Sequence, residues 1–263
     1  MYQEERMQLI LDHLQTKKRI SIEEICSLFD VSRDTARRDL VKLDEQGAII
    51  RTRGGALLPN PLQDKIGNYK ERLMKVSEEK KSIGRVAAHY IRDGEHVILD
   101  SSTTVHACAE FIDQQSCFII TNSINQADVL SDKKGVSIHL LGGQLEKEHR
   151  YVYGSTVIST LSNYFVDKAF IGVGGISASG FTSVHDEEGM LKHQMMKQAR
   201  QVFVLADHSK FGKDCPFRFA ALSEVDFIVT DRLPEPDMLE MLQRQGIEIL
   251  IPDFKDEEEL EEV

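Results

Sequence analysis

The sequence predicts two units of different class: an N-terminal all-α winged helix-turn-helix, then a larger C-terminal α/β body with a Rossmann-like sheet. Three observations predict this. A short apolar helix and a basic one follow each other across a tight turn at Asp30-Val31-Ser32. The stretch Leu58-Pro59-Asn60-Pro61 then breaks regular structure, because proline disfavours helix in the residue before it. Beyond it, continuous apolar runs alternate with amphipathic segments, the pattern of a mostly parallel sheet covered on both faces. With 263 residues and 41% hydrophobic content, the chain can hold one large or two modest cores.

The head begins with a helix over residues 3–16, where Met7, Ile10, Leu11 and Leu14 recur at helical spacing. A second helix over residues 21–29 carries Ile22, Ile25, Leu28 and Phe29. Ser32 reads as the N-cap of the third, since its side-chain oxygen can accept from the first free amides. In that third helix Ala36, Leu40 and Leu43 form a buried stripe. Arg38 and Asp34 fall opposite, with Arg37 and Lys42 on the flanks. A helix packed on one side and bearing guanidinium groups on the other suits a DNA major groove, where arginine matches phosphate or the guanine edge. Residues 48–58 read as two short strands around Gly54-Gly55, a hairpin wing with Arg51 and Arg53 near its tip. The expected DNA-binding residues are Ser32, Arg33, Thr35, Arg37, Arg38, Lys42, Arg51, Arg53, Gly54 and Gly55.

Charge limits where nucleic acid can bind. The net charge is −11 and the pI about 5.3, which argues against a surface coated by DNA. Residues 1–58 carry ten acidic and ten basic side chains, so the acidic excess lies in the body and in the run from Asp256 to Glu262. That run reads as a solvated tail over residues 255–263. Cys26, Cys108, Cys117 and Cys215 have no paired spacing, which fits a reducing cytoplasm, and nothing resembles a signal peptide or a membrane span. The nine histidines are scattered, so no metal site and no cofactor is expected.

The connector spans residues 59–76, with a charged helical bridge from residue 65, and the body spans residues 77–254. A helix capped at Ser77 runs to Ile91 and stops at Asp93-Gly94. Strands are expected at residues 96–100, 117–121, 136–141, 168–173, 202–206, 227–230 and 247–251. Helices are expected at residues 105–112, 124–130, 155–163, 186–199 and 237–245. Parallel sheets bind ligands at the carboxyl ends of their strands, and those ends are polar or glycine-rich here. Asp100-Ser101-Ser102-Thr103-Thr104 places hydroxyls and free amides at a helix N-terminus, either as an anion cradle or as caps alone. Asn122-Ser123, Gly142-Gly143 and Gly174-Gly175 follow three further strands, allowing close ligand approach or tight turns. His185-Asp186-Glu187-Glu188 opens a helix, where carboxylates suit the dipole. Lys210 follows another strand, where it could neutralise a phosphate.

Val31-Ser32, Thr35, Arg37-Arg38-Asp39-Leu40, Leu43, Gly47, Ile49, Arg51 and Gly54-Gly55 resemble the winged helix-turn-helix signature of the DeoR family of bacterial transcription regulators. The body resembles that family's effector domain, whose fold is related to sugar-phosphate isomerases. The resemblance implies that Asp100 to Thr104, Asn122, Ser123, Gly142, Gly143, Gly174, Gly175, Glu187 and Lys210 border a phosphosugar pocket. It departs from the family at Ser102, Gly174 and His185-Asp186, positions that bear on which ligand fits. The expectation is a cytoplasmic repressor of a carbohydrate operon, a homodimer or homotetramer on operator DNA, with no catalytic residues. The alternative is an isomerase-like enzyme with a fused DNA-binding unit, using Glu187 or Glu188 with Lys210.

Overall fold

In the computed structural model of the chain, residues 3–17, 19–45, 48–52, 54–57 and 78–252 are described. Gly47, Arg53, the connector and bridge over residues 58–76, the Ser77 cap and the acidic tail lie outside them. The chain divides into two compact units, residues 1–66 and 67–263.

The first unit contains α1 (Gln3–Lys17), β1 (Arg19–Ser21), α2 (Ile22–Phe29), α3 (Arg33–Glu45), β2 (Ile50–Thr52) and β3 (Gly55–Leu57). The periodic apolar residues of the three helices meet in one core with Met7, Ile10, Leu14, Ile22, Ile25, Ala36, Leu40 and Leu43. Ser21 starts α2 as a reciprocal cap: its hydroxyl accepts from Glu24 N at 3.1 Å and its own amide donates to Glu24 Oε2 at 2.7 Å. Asp30 ends α2 in the left-handed region, at φ 50°, and turns the chain toward α3.

The wing is the expected hairpin, but it is one strand wider than the sequence suggested. The sheet order is β1-β3-β2, and β1 is too short to show a period of two. Gly55 makes the third strand possible. A Cβ there would lie 2.0 Å from the Ile20 carbonyl oxygen, so only glycine lets β3 pair with β1.

The second unit is a doubly wound sheet. Its helices are α4 (Glu78–His89), α5 (Thr103–Phe111), α6 (Ile124–Ser131), α7 (Ser155–Leu161), α8 (Asp186–Lys197) and α9 (Pro236–Arg244). The main strands are β4 (His96–Leu99), β5 (Cys117–Thr121), β6 (Val136–Leu140), β9 (Val166–Gly172), β12 (Ala199–Leu205), β14 (Phe227–Val229) and β15 (Glu248–Leu250). They order as β15-β14-β12-β9-β4-β5-β6, and every pairing is parallel. Helices α4 to α6 cover one face through Ile83, Ala87, Val105, Cys108 and Leu130. Helices α7 to α9 cover the other through Val157, Leu161, Leu191, Met195 and Leu242. Phe170, Phe203 and Phe227 stack across three adjacent strands, with ring centroids 4.9 and 4.4 Å apart.

The topology fixes where a crevice opens. The chain runs from β4 outward to β6, returns to β9 on the other side of β4, and continues outward to β15. Strands β4 and β9 are therefore neighbours whose connections leave in opposite directions, the place where doubly wound sheets put their ligand crevice. Two further pairings were not expected: the hairpin of β7 (Gln144–Glu146) with β8 (Tyr151–Tyr153), and a sheet of β10 (Gly175–Ser177), β11 (Gly180–Ser183) and β13 (Phe217–Ala220). Among the described residues no helix is long and apolar enough to cross a membrane.

Candidate functional sites

The DNA-reading face is built on α3. Ser32 is exposed and its Oγ accepts from Thr35 N at 3.2 Å, so the expected cap forms, and its hydroxyl also lies 3.0 Å from that of Thr35. Arg37 and Arg38 are exposed, opposite the buried Ala36 and Leu40. Arg33 is exposed as well, and its guanidinium sits 2.8 Å from Glu23 on α2. Lys42 donates to Gln3 Oε1 at 2.7 Å, back toward α1. Arg51 lies in β2, and Gly54 is exposed at the wing turn, where its carbonyl accepts from Ile22 N at 2.9 Å. Gly55 is buried against β1, so its part is packing.

What orients α3 is a residue read only as part of a motif. Asp39 follows Arg38, yet it is fully buried. Arg6 of α1 grips it with two bonds, Nε to Oδ2 at 2.6 Å and Nη2 to Oδ1 at 3.1 Å, and Gln3 adds a third at 2.8 Å. The bond to Asp39 raises the Arg6 pKa, burial lowers it, and the carboxylate's charge raises it further, with a net rise. A two-pronged Arg–carboxylate pair fixes orientation as well as distance, so α3 is held against α1 at a set angle.

In the second unit, the carboxyl ends of β4 and β9 meet at Asp100 and Gly172. Asp100 accepts from Ser102 N at 2.8 Å and from Gly172 N at 2.9 Å. Lys192 of α8 enters from the other side. Its ammonium donates to the Gly172 carbonyl at 2.7 Å and pairs with Glu188 at 2.8 Å and Asp100 at 3.2 Å. Burial lowers the Lys192 pKa, but the charges of Glu188 and Asp100 outweigh it and hold it above the ordinary 10.5. All three ammonium protons are taken, so Lys192 is a clamp across the crevice and not a proton donor in waiting. Glu188 also accepts from Ser183 at 3.1 Å.

The other expected residues lie at strand ends and helix starts of the same unit. Ser102 caps α5 by accepting from Val105 N at 3.2 Å, and Ser101, Thr103 and Thr104 are buried beside it. Asn122 is buried at the end of β5 and donates to the Val152 carbonyl at 3.1 Å, while its Oδ1 has no partner among the described residues. A ligand hydroxyl would satisfy that acceptor. Ser123 caps α6. Lys210 is half-buried on a 3-10 turn, His208–Lys210, that Asp207 caps through Ser209 N at 2.9 Å. Gly142 and Gly143 are exposed after β6, and Glu187 points to solvent. Gly174 lies against Cys215, and Gly175 pairs in β10 beside the Lys213 carbonyl, so backbone packing explains both. The sequence reading missed Lys192 and Asp207. The signal for Lys192 was its spacing of four from Glu188, which places both on one helical face.

An exposed arginine-bearing helix on one unit and a polar crevice at a topological switch point on the other define a DNA-binding regulator with a sensor domain. Residues 6–61 match the model of the DeoR-like helix-turn-helix domain, and residues 75–232 that of the DeoR C terminal sensor domain. The chain belongs to the DeoR family of transcriptional regulators. It is 59% identical over 251 residues to the HTH-type transcriptional repressor GlcR of Bacillus subtilis (strain 168), covering 95% of this chain and 97% of that one. The glycerol-3-phosphate regulon repressor of Escherichia coli (strain K12) is 31% identical, over 95% of this chain and 99% of its own. Among solved structures, ribose 5-phosphate isomerase A from Methanocaldococcus jannaschii aligns over 54% of this chain and 55% of its own, at 16% identity and a TM-score of 0.37.

Proposed function

We propose that this protein is a cytoplasmic repressor of a carbohydrate-utilisation operon whose operator affinity is set by a phosphorylated sugar in the β4–β9 crevice. The observation that carries the effector half is the Asn122 acceptor, without a partner among the described residues, at the end of β5 in the sheet whose strands β4 and β12 lead to the α5 hydroxyls and Lys210. Hydroxyl acceptors together with a cationic, amide-rich phosphate cradle suit a sugar phosphate. The names of two relatives, a glycerol-3-phosphate regulon repressor and a putative aga operon transcriptional repressor, agree with that chemistry.

Arg33, Thr35, Arg37, Arg38 and Lys42 contact DNA, with Arg51 and Arg53 on the wing. A head of this size reaches useful affinity by pairing on repeated half-sites, so the working form is a homodimer or homotetramer. A ligand that distinguishes two conformers by about 1–3 kcal/mol is enough to change operator occupancy severalfold or more.

The test is electrophoretic mobility of the promoter upstream of the protein's own operon, with and without sugar phosphates that stabilise the protein in a thermal-shift panel. A shifted band whose mobility answers to one such compound is the expected result. A promoter unaffected by saturating protein would end the reading.

A further inference from the structure

The loops that follow β12 and β14 enclose, with the start of α9, a cavity of about 510 Å³. That volume is in the range of small-molecule sites, roughly 300–1,000 Å³. No residue expected at the phosphosugar pocket lines it. Its wall is largely apolar, with Phe211, Leu233, Met238 and Met241. Leu233 is 52% exposed, while the other three are half-buried against the sheet core. Methionine side chains adapt to ligands of different outline.

The polar lining is ordered by a relay. Asp231 accepts from His208 N at 2.6 Å and from His208 Nδ1 at 2.7 Å. His208 Nε2 is then an acceptor, and Arg232 Nη2 donates to it at 2.6 Å. Arg232 Nε lies 3.4 Å from Asp231. One edge of the guanidinium is thus held, and its Nη1 has no partner among the described residues. A guanidinium has only donors, so what meets Nη1 is an acceptor. Glu235 and Asp237 line the same cavity, and neither carboxylate has a partner among the described residues. Glu235 is the N-cap residue of α9, yet its side chain makes no cap bond.

The charges decide the chemistry of the ligand. An apolar anion would meet Arg232 but face two carboxylates, and an apolar amine would meet the carboxylates but face Arg232. We propose that this cavity binds an apolar α-amino acid. Its carboxylate takes Arg232 Nη1, its ammonium takes Glu235 and Asp237, and its side chain lies against Phe211, Leu233, Met238 and Met241. Both head groups sit on one carbon, so one end of the ligand satisfies both signs while the other stays apolar. The site shares no residue with the phosphosugar pocket, so it does not depend on the sugar-phosphate reading.

The experiment follows methionine methyl signals in full-length, methyl-labelled protein. Met238, Met241 and Met190 are assigned with M238L, M241L and M190L, and Met190, exposed on α8, is the internal control. The probes are L-leucine, L-phenylalanine, L-alanine, N-acetyl-L-leucine and L-leucinamide. Leucine or phenylalanine should shift the Met238 and Met241 signals saturably and leave that of Met190 in place. Alanine, which lacks the apolar body, should not saturate. Acetylation removes the ammonium and amidation the carboxylate, so each should weaken binding by about tenfold or more, the loss of one charged contact. R232M should weaken leucine by a similar factor and leave leucinamide unchanged. The double variant E235Q/D237N should weaken leucine and leave N-acetyl-leucine unchanged.

No saturable shift with leucine or phenylalanine overturns the proposal. Leucine, N-acetyl-leucine and leucinamide that bind alike would make the cavity an unselective apolar site, which also overturns it. R232M that loses leucine and leucinamide equally would make Arg232 part of the cavity's shape and not the holder of a carboxylate, and the amino-acid assignment would fail with it.

Discussion

The ammonium of Lys192 lies 3.2 Å from a carboxylate oxygen of Asp100, and the two side chains are only 5% and 1% exposed. One sits on α8 and the other follows β4, so the pair bolts a helix of one sheet face to the strand ends where the crevice opens. Removing the cation leaves Asp100 and Glu188 without the charge that both of them meet.

Lys192→Met should therefore destabilise the sensor domain by about 3–5 kcal/mol, the usual cost of an uncompensated buried charge. The pH dependence separates charge from packing. Lys192 is held above its ordinary 10.5, so its contribution is complete below about that pH and is lost as pH rises through the higher folded-state value. On the alkaline side the difference in melting temperature between wild type and variant should hold until strong alkali and only then narrow, as Lys192 loses its proton. A difference that already narrows on raising the pH from about 7 to about 9 would contradict the assignment.

Gly172 and Ser102 should be coupled. A Cβ at Gly172 would lie 2.1 Å from Ser102 Oγ and 2.3 Å from its Cβ. Gly172→Ala should cost about 1–3 kcal/mol as overpacking, and Ser102→Gly in the same chain should recover much of it, although it surrenders the α5 cap. A double-mutant cycle on thermal melts measures the coupling, and additive effects would mean that the two do not touch.

Asp39→Ala should abolish operator binding although Asp39 cannot reach DNA. The substitution leaves the Arg6 guanidinium buried without its carboxylate, a loss of about 3–5 kcal/mol in a small head. Limited proteolysis should show cleavage within residues 1–57 while the sensor domain stays intact.

Arg38→Ala should weaken operator binding without changing effector-induced thermal stabilisation, because the two sites lie in separate units. If Arg38 contacts phosphate, the slope of log affinity against log salt falls by about 1, whereas a base contact instead relaxes sequence preference. Arg33 is already paired with Glu23, so Arg33→Ala should cost less.

Much of the fold was legible. Cys117–Thr121 is a strand with the bounds its apolar run predicts, and the helix starts at Ser155 and Asp186 fall where expected. These elements carry their own local signal, a period near 3.6 or an unbroken apolar run. Strands β1, β10, β11 and β13 did not, because three or four residues without an unbroken apolar run show no period, and β1 and β13 pair with strands distant in the chain. Gly174 and Gly175 read equally as room for a ligand or as tight turns, and the close approach of Thr182 and of the Lys213 carbonyl to them comes from strand pairing that their own neighbours do not announce.

By itself the sequence determined that a basic, capped helix precedes a parallel α/β sheet with hydroxyl-rich strand ends, since capping, periodicity and composition are properties of neighbouring residues. Only the tertiary structure decided which polar side chains are buried and paired. Asp39 and Lys192 each read as one more charge on a helix, and became fixed points because Arg6, Asp100 and Gly172 arrive from other elements. Burying a charge is tolerable only where its counter-charge meets it, and that meeting is set by the path of the whole chain.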